Sequence, residues 1–237
     1  MSLRLYAGKL LQKLGLSLTR SHRTPKFNIN YLELFYRLLR LSYPDKELQV
    51  IQVGAFDGLT SDPLFNILES DPHIRAILLE PQAYPFSILK DKYVSFSNVF
   101  LENSALDSQD GEITFYVPNG DYSPKASVNS QHYKNFGLSI KNINKVSVTA
   151  ISLKKLTEKY KVQDVDLLQI DVEGSDLEIL KLFMEDHFFP KVINIESYHL
   201  KAKDKQNLHD ILKQNDYSFF DVGYDTCAIQ SSLIHVN

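Results

Sequence analysis

The 237 residues include one cysteine, Cys227, which excludes an internal disulfide and a cysteine-based zinc cage. That usage suits a reducing compartment, and a cytoplasmic location is expected. No apolar run approaches the roughly eighteen residues that a membrane span requires. Positive charge is not in excess either. The 26 Lys and Arg against 29 Asp and Glu leave a net charge of −3, which disfavours nucleic acid as a partner. No repeat or low-complexity tract divides the chain. What is present is a hydrophobic content of 43%, with 14 Phe and 13 Tyr, ample for the core of one large domain.

The first acidic residue is Glu33, and before it stand Arg4, Lys9, Lys13, Arg20, Arg23 and Lys26. Leu3, Tyr6, Leu10, Leu14 and Leu18 recur at helical spacing and predict an amphipathic basic helix. A signal peptide would need a cleaner apolar centre and a small-residue cleavage site. The helix is expected to pack on its own domain or on a second subunit in a homodimer. Peripheral membrane contact without stable insertion is the alternative. Asn30 with Glu33 three residues on predicts a capped second helix to Ser42, closed by Pro44. Residues 1–45 thus read as an N-terminal helical extension and 46–237 as one domain.

From there strands and helices alternate. Strand-like runs cover 48–54, 74–80, 99–103, 165–171 and 191–197. Helices are expected over 62–70, with Asp62 as cap and Pro63 at its first position, over 83–93, after Ser152, after Ser175 and near 204–215. EITFYVP (112–118) alternates like a hairpin strand, and VSVTA (146–150) reads as a strand. Residues 119–144 read as a long excursion, expected to carry acceptor-site aromatics such as Tyr122, Tyr133 and Phe136. The alternation predicts a parallel sheet covered on both faces, with a C-terminal hairpin adding an antiparallel edge.

Ligands of such sheets sit beyond the carboxyl ends of the strands. Each core run here ends in a polar or glycine signal: GAFDG (54–58), Glu80, Asn103 with Ser104, Asp171 with Glu173, and Glu196. The glycine spacing is neither that of a dinucleotide fold nor that of a phosphate loop. An acid ending the second strand can accept from both hydroxyls of a ribose. A nucleoside without phosphate machinery points to S-adenosylmethionine rather than NAD. In LLQIDVEGSDLEIL (167–180), Ser175 and Glu178 form a capping-box pattern, and Asp176 falls in the first helical turn, where the dipole favours it. Asp171 and Glu173 lie outside that account. In an extended chain they project to one side, where two like charges raise a pKa or hold a cation: a sulfonium, an amine or a metal ion.

IQVGAFDG, LLEP, NSALDSQDGEITFY and LLQIDVEGSDLEIL together resemble the FkbM family of S-adenosylmethionine-dependent methyltransferases, over about Val50 to Glu196. The resemblance implies a Rossmann-like class I methyltransferase fold: a mostly parallel seven-stranded sheet with an antiparallel C-terminal hairpin and helices on both faces. It implies cofactor contacts from Gln52, Gly54, Ala55, Asp57, Gly58, Glu80, Pro81, Asn103, Ser104, Ala105 and Asp171. The family usually has Asp or Glu where Gln52 stands, and often Asn where Phe56 stands. Its members mostly methylate hydroxyls of sugars, glycolipids or other natural products, so a small-molecule, sugar or peptide acceptor is expected.

Methyl transfer to a hydroxyl needs alignment and a base. Candidates are Asp171, Glu173 and His199, with Glu196 orienting the histidine; His132 is a further one if the excursion closes over the site. A carboxylate acceptor would need no base. An NAD(P)-dependent oxidoreductase and a non-catalytic scaffold on the same fold are the competing readings. Glu80→Ala is expected to abolish cofactor binding while leaving the fold intact; a titration showing undiminished affinity would remove Glu80 from that role.

Overall fold

The computed structural model describes residues 16–20, 25–60, 62–129 and 143–234. Strands β1 (Leu16–Arg20) and β2 (Pro25–Ile29) pair antiparallel. The basic helix expected to run through Leu18 is therefore strand over 16–20, and its remainder lies outside the described residues. Helix α1 (Tyr31–Ser42) is capped as read: Asn30 Oδ1 accepts the Glu33 N–H at 3.1 Å. The Glu33 carboxylate does not complete the box but pairs with Arg37, one turn on, at 2.7 Å.

The main sheet takes β3 (Leu48–Val53), β4 (Ile74–Leu79), β5 (Val99–Glu102), β9 (Leu167–Ile170), β10 (Val192–Glu196), β11 (Tyr217–Val222) and β12 (Asp225–Gln230). Its order is β11-β12-β10-β9-β3-β4-β5, and β12 runs opposite to the other six strands. Every residue of β3 is buried, as a central strand covered on both faces must be. Leu48 and Val50 meet α1, α2 (Phe65–Ser70) and α3 (Ala83–Lys92). Ile51 and Val53 meet α4 (Leu153–Tyr160), α5 (Asp176–Glu185) and α6 (Ala202–Gln214). Asp166, fully buried, ties the starts of three strands together through Lys46 (2.7 Å), Lys191 (2.8 Å) and the Gln49 N–H (2.8 Å). No described helix is long and apolar enough to cross a membrane.

A second sheet was not foreseen. Strands β6 (Ala105–Asp107), β7 (Gly111–Pro118) and β8 (Ile143–Ser152) form it in the order β6-β8-β7. The strand expected at 146–150 is thus twice as long, and the excursion is correspondingly shorter. Residues 119–129 fold back so that Ser127 bridges to Tyr116. His132, Tyr133 and Phe136 lie outside the described residues.

Two caps are corrected. The helix expected over 62–70 begins only at Phe65, because Asp62 and Pro63 stay in the preceding loop, where Asp62 Oδ1 accepts the Leu64 N–H at 2.9 Å. Ser175 makes no capping bond to α5. Asp176 instead accepts the N–H groups of Val172 (2.9 Å) and Gly174 (3.0 Å), and so shapes the loop that precedes the helix.

The tightest point of the fold is where β3 and β9 end side by side. Gly54 has φ +87°, and a Cβ there would lie 1.8 Å from the Asp171 carbonyl oxygen. Gly54→Ala is therefore expected to destabilise the protein by about 3 kcal/mol or more, the range of severe core lesions, as a shifted urea midpoint would show.

Candidate active site

The carboxyl ends of β3, β4 and β9 open onto a cleft of about 250 Å³. Val53, Ala55, Leu79, Leu106 and Ile179 supply apolar wall, and Phe115, Pro124, Ala126 and Val128 supply more from β7 and the segment after it. The charged residues lining it are Asp62, Glu80, Asp171 and Glu173, with neither lysine nor arginine among the described lining residues. A pyrophosphate would find no countercharge among them.

Glu80 sits at the end of β4 and is 3% exposed. Its Oε2 accepts the Phe56 N–H at 2.9 Å and its Oε1 the Gln82 N–H at 2.7 Å. Burial pushes its carboxyl up to about 7, against these hydrogen bonds. Each oxygen retains a further lone pair for a ligand hydroxyl. Because Glu80 also pins two loops, its removal would loosen the cleft as well as take away a ligand contact. Gln82 continues the clamp: its Oε1 accepts the Ser123 N–H at 2.8 Å and its Nε2 donates to the Ser123 carbonyl at 3.0 Å. Beside it Tyr122 packs on Tyr84 with ring centroids 4.4 Å apart, and both rings are exposed.

β9 ends at Ile170, and Glu173 takes a left-handed conformation with φ +54°, so the chain is not extended across Asp171 and Glu173 as expected. Both still line the cleft, because the loop turns them there. The Ser127 hydroxyl fastens this loop by donating to the Glu173 carbonyl at 2.6 Å. Glu196, from the end of β10, joins them: His199 Nε2 lies 3.3 Å from Glu196 Oε1 and 3.8 Å from Glu173 Oε2. The Glu196 Oε2 atom is buried without a hydrogen bond. Burial, with Asp176, Glu173 and Asp225 adding repulsion, pushes Asp171 up to about 7. Burial and the charges of Asp171, Asp176, Glu173 and Asp225 push Glu196 up to about 9.

Of the residues expected to bind cofactor, Gln52, Gly54, Ala55, Glu80, Pro81, Ser104, Ala105 and Asp171 line the cleft. Asp57, Gly58 and Asn103 stand behind it. Asp57 folds the glycine loop by accepting the N–H groups of Leu59 (2.9 Å) and Thr60 (2.7 Å). Asn103 donates to the carbonyls of Glu80 (2.8 Å) and Pro81 (3.2 Å). Glu196 and His199 adjoin the lining through Glu173 and are not part of it. Asp62, Gln82 and Gln169 were missed as lining residues. Asp62 stands in the guise of a helix cap, and the other two carry no sequence signal.

The strand order, the antiparallel strand near one edge and the cleft at the strand ends are those of the Rossmann-like class I methyltransferase fold. The family model described as "Methyltransferase FkbM domain" matches residues 52–219, and the chain belongs to that family. This membership replaces the oxidoreductase alternative. No curated protein matches the chain. Among solved structures it is similar to precorrin-6y C5,15-methyltransferase from Geobacter metallireducens GS-15, at 12% identity and TM-score 0.42 over 90% of this chain and 93% of that one. It is similar to a methyltransferase from Geobacter sulfurreducens, at 10% identity and TM-score 0.44 over 83% and 77%. Fibrillarin from Aeropyrum pernix, solved with natively bound S-adenosyl-L-methionine, is similar at 12% identity and TM-score 0.41 over 92% and 82%.

S-adenosylmethionine is the cofactor of this class, and the cleft fits it. Gly54 leaves the backbone bare, Glu80 and the acid-lined walls accept hydrogen bonds and tolerate a sulfonium, and Gln52 Oε1 is a buried acceptor without a donor. The acids also make stability depend on pH. Unfolded, Glu196 loses its proton near its ordinary 4.5, whereas in the fold it keeps it to about 9. Its contribution is therefore complete below about pH 4.5 and is lost as pH rises towards 9. Glu196→Gln cannot ionise, so its Tm should exceed that of the parent by a margin that grows between pH 5 and pH 9. A margin that does not vary with pH would contradict the assignment.

Proposed function

We propose that the methyl group is delivered to a hydroxyl oxygen of a small-molecule, sugar, glycolipid or peptide acceptor, on the Asp171 side of the cleft. Bound S-adenosylmethionine supplies a methyl group on a positively charged sulfur. Gly54, Ala55, Glu80, Pro81, Ser104 and Ala105 hold the cofactor, and the apolar wall excludes water from the transfer. Asp171 takes the hydroxyl proton. The observation that carries this reading is a carboxylate at the cleft wall whose proton affinity sits near neutrality, the range in which a general base serves best. Burial and the charges of Asp176, Glu173 and Asp225 keep it there, and Glu196, 3.3 Å from His199 Nε2, sets the orientation of that ring.

An acid-lined cleft and a net charge of −3 support a small acceptor over a nucleic acid. The exposed Tyr84 and Tyr122 rings, each two residues along the chain from a cleft residue (Gln82 and Pro124), offer an aromatic pair on which a sugar face can stack. The single buried cysteine supports a cytoplasmic setting.

Asp171→Asn should lower kcat by about 10²–10⁴, with affinity for S-adenosylhomocysteine within a few-fold of the parent. In the parent, turnover should rise with pH through about 7 as Asp171 ionises, and that limb should vanish in the variant. Full turnover by Asp171→Asn would point instead to a carboxylate acceptor, which needs no base.

A further inference from the structure

Residues 119–129 leave β7 and cross the apolar side of the cleft, where Pro124, Ala126 and Val128 line it. The segment is tied at both ends. At the first tie the Gln82 side chain holds the backbone of Ser123, accepting its N–H at 2.8 Å and donating to its carbonyl at 3.0 Å. At the second, Ser127 is fully buried, and its backbone pairs with that of Tyr116 in both directions, at 2.8 and 3.1 Å. That pairing fixes where the Ser127 hydroxyl stands. The hydroxyl accepts the Asn129 N–H at 3.0 Å and donates its one proton to the Glu173 carbonyl at 2.6 Å. Since Glu80 accepts the N–H of Gln82, a strap of hydrogen bonds runs from that acid to the loop that carries Asp171.

The receiving loop is under strain where the strap meets it. Glu173 sits at φ +54°, a conformation that a residue with a Cβ keeps only where its surroundings impose it. Asp176 fixes the donor side of the loop by accepting the N–H groups of Val172 and Gly174. Ser127 supplies the bond on its carbonyl side. A return of Glu173 to negative φ would carry its carbonyl off the Ser127 hydroxyl. A buried hydroxyl resists that, because losing its acceptor costs free energy.

We propose that Ser127 is a positioning residue for Asp171: through the Glu173 carbonyl it holds the loop in its strained form, so that the base is in place only while the strap is seated. The inference rests on Asp171 serving as the base. Closure and chemistry are thereby linked, because a base placed only under a seated cover acts when water is already excluded from the transfer. Asp171 is faced by Glu173 from its own loop, Asp176 from α5, Asp225 from β12 and Glu196 from β10. Loosening the loop admits water to the Asp171 carboxyl and parts it from those charges, and both changes lower its proton affinity.

The test needs no acceptor. In the full chain with isotope-labelled aspartate, the Asp171 carboxyl is followed by NMR against pH and assigned by its loss in Asp171→Asn. Affinity for S-adenosylhomocysteine is measured alongside by calorimetry. Ser127→Ala should draw the Asp171 midpoint down from about 7 towards the ordinary 3.8, a loss of about tenfold or more in proton affinity. Its affinity for S-adenosylhomocysteine should stay within about threefold of the parent. Ser127→Thr keeps the hydroxyl and should restore the parent titration. Gln82→Ala unties the other end of the strap and should move the midpoint in the same direction as Ser127→Ala. An unchanged midpoint in Ser127→Ala, or one equally displaced in Ser127→Thr, would overturn the proposal. So would a loss of S-adenosylhomocysteine binding as large as the loss of proton affinity, which would mark Ser127 as merely structural. A midpoint left in place by Gln82→Ala would overturn the strap as the carrier of the effect. Full turnover by Asp171→Asn would sink the base, and the positioning role with it, in a separate measurement that leaves the titrations standing.

Discussion

Asp176 is 1% exposed, and its two oxygens accept the N–H groups of Val172 and Gly174 at 2.9 and 3.0 Å. Those bonds compensate for burying a carboxylate, although burial still pushes it up to about 6. They also fix a loop whose backbone would not otherwise hold its shape, since Glu173 sits at φ +54°, where a residue with a Cβ is strained. The position of Asp171 above Gly54, the direction of Glu173 and the approach of His199 all follow from that loop. The acids gathered in LLQIDVEGSDLEIL are therefore not interchangeable: Asp176 builds the loop, and Asp171 and Glu173 face the cleft.

The rim of the sheet is electrostatically one-sided. Burial and the charges of Glu173, Asp176 and Asp225 raise the proton affinity of Asp171 and Glu196, while lysines are held at the opposite end, where Lys46 and Lys191 neutralise Asp166. Buried ionised groups repel unless paired. At the start of the strands they are paired, and the result is a rigid clasp. At the carboxyl ends much of the charge is left to protons and to what binds there. A cationic cofactor is favoured by the same field that makes a carboxylate basic enough to take a proton.

Much of this was legible in the sequence because buried parallel strands read as oily runs, and the polar residue that ends each run marks the rim. Gly54, Glu80, Ser104 and Asp171 could be placed at the cleft on that ground, and the resemblance added Gln52 and the seven strands of the sheet. What escaped was everything set by bonds between distant segments. The pairing of β6 with β8 leaves no periodic mark, since three residues cannot show alternation. Asp62 followed by Pro63 has the local pattern of a helix start, but Tyr93 and Gln52 draw the carboxylate away from that task. Ser175 followed by Glu178 looks like a capping box, and the buried Asp176 outbids it for the backbone of the turn.

Strand β8 runs without a break into Ser152, whose side chain accepts the Lys155 N–H and starts α4. At its far end α4 places Lys159 and Tyr160 on Glu102 at 2.6 and 2.9 Å, and Glu102 takes the hydroxyl of Ser104 in the cleft wall. The small sheet and the base of the cleft are thus joined through α4 and Glu102. Any exchange of the covering strands for those of a relative would have to carry α4 and its grip on Glu102 with them.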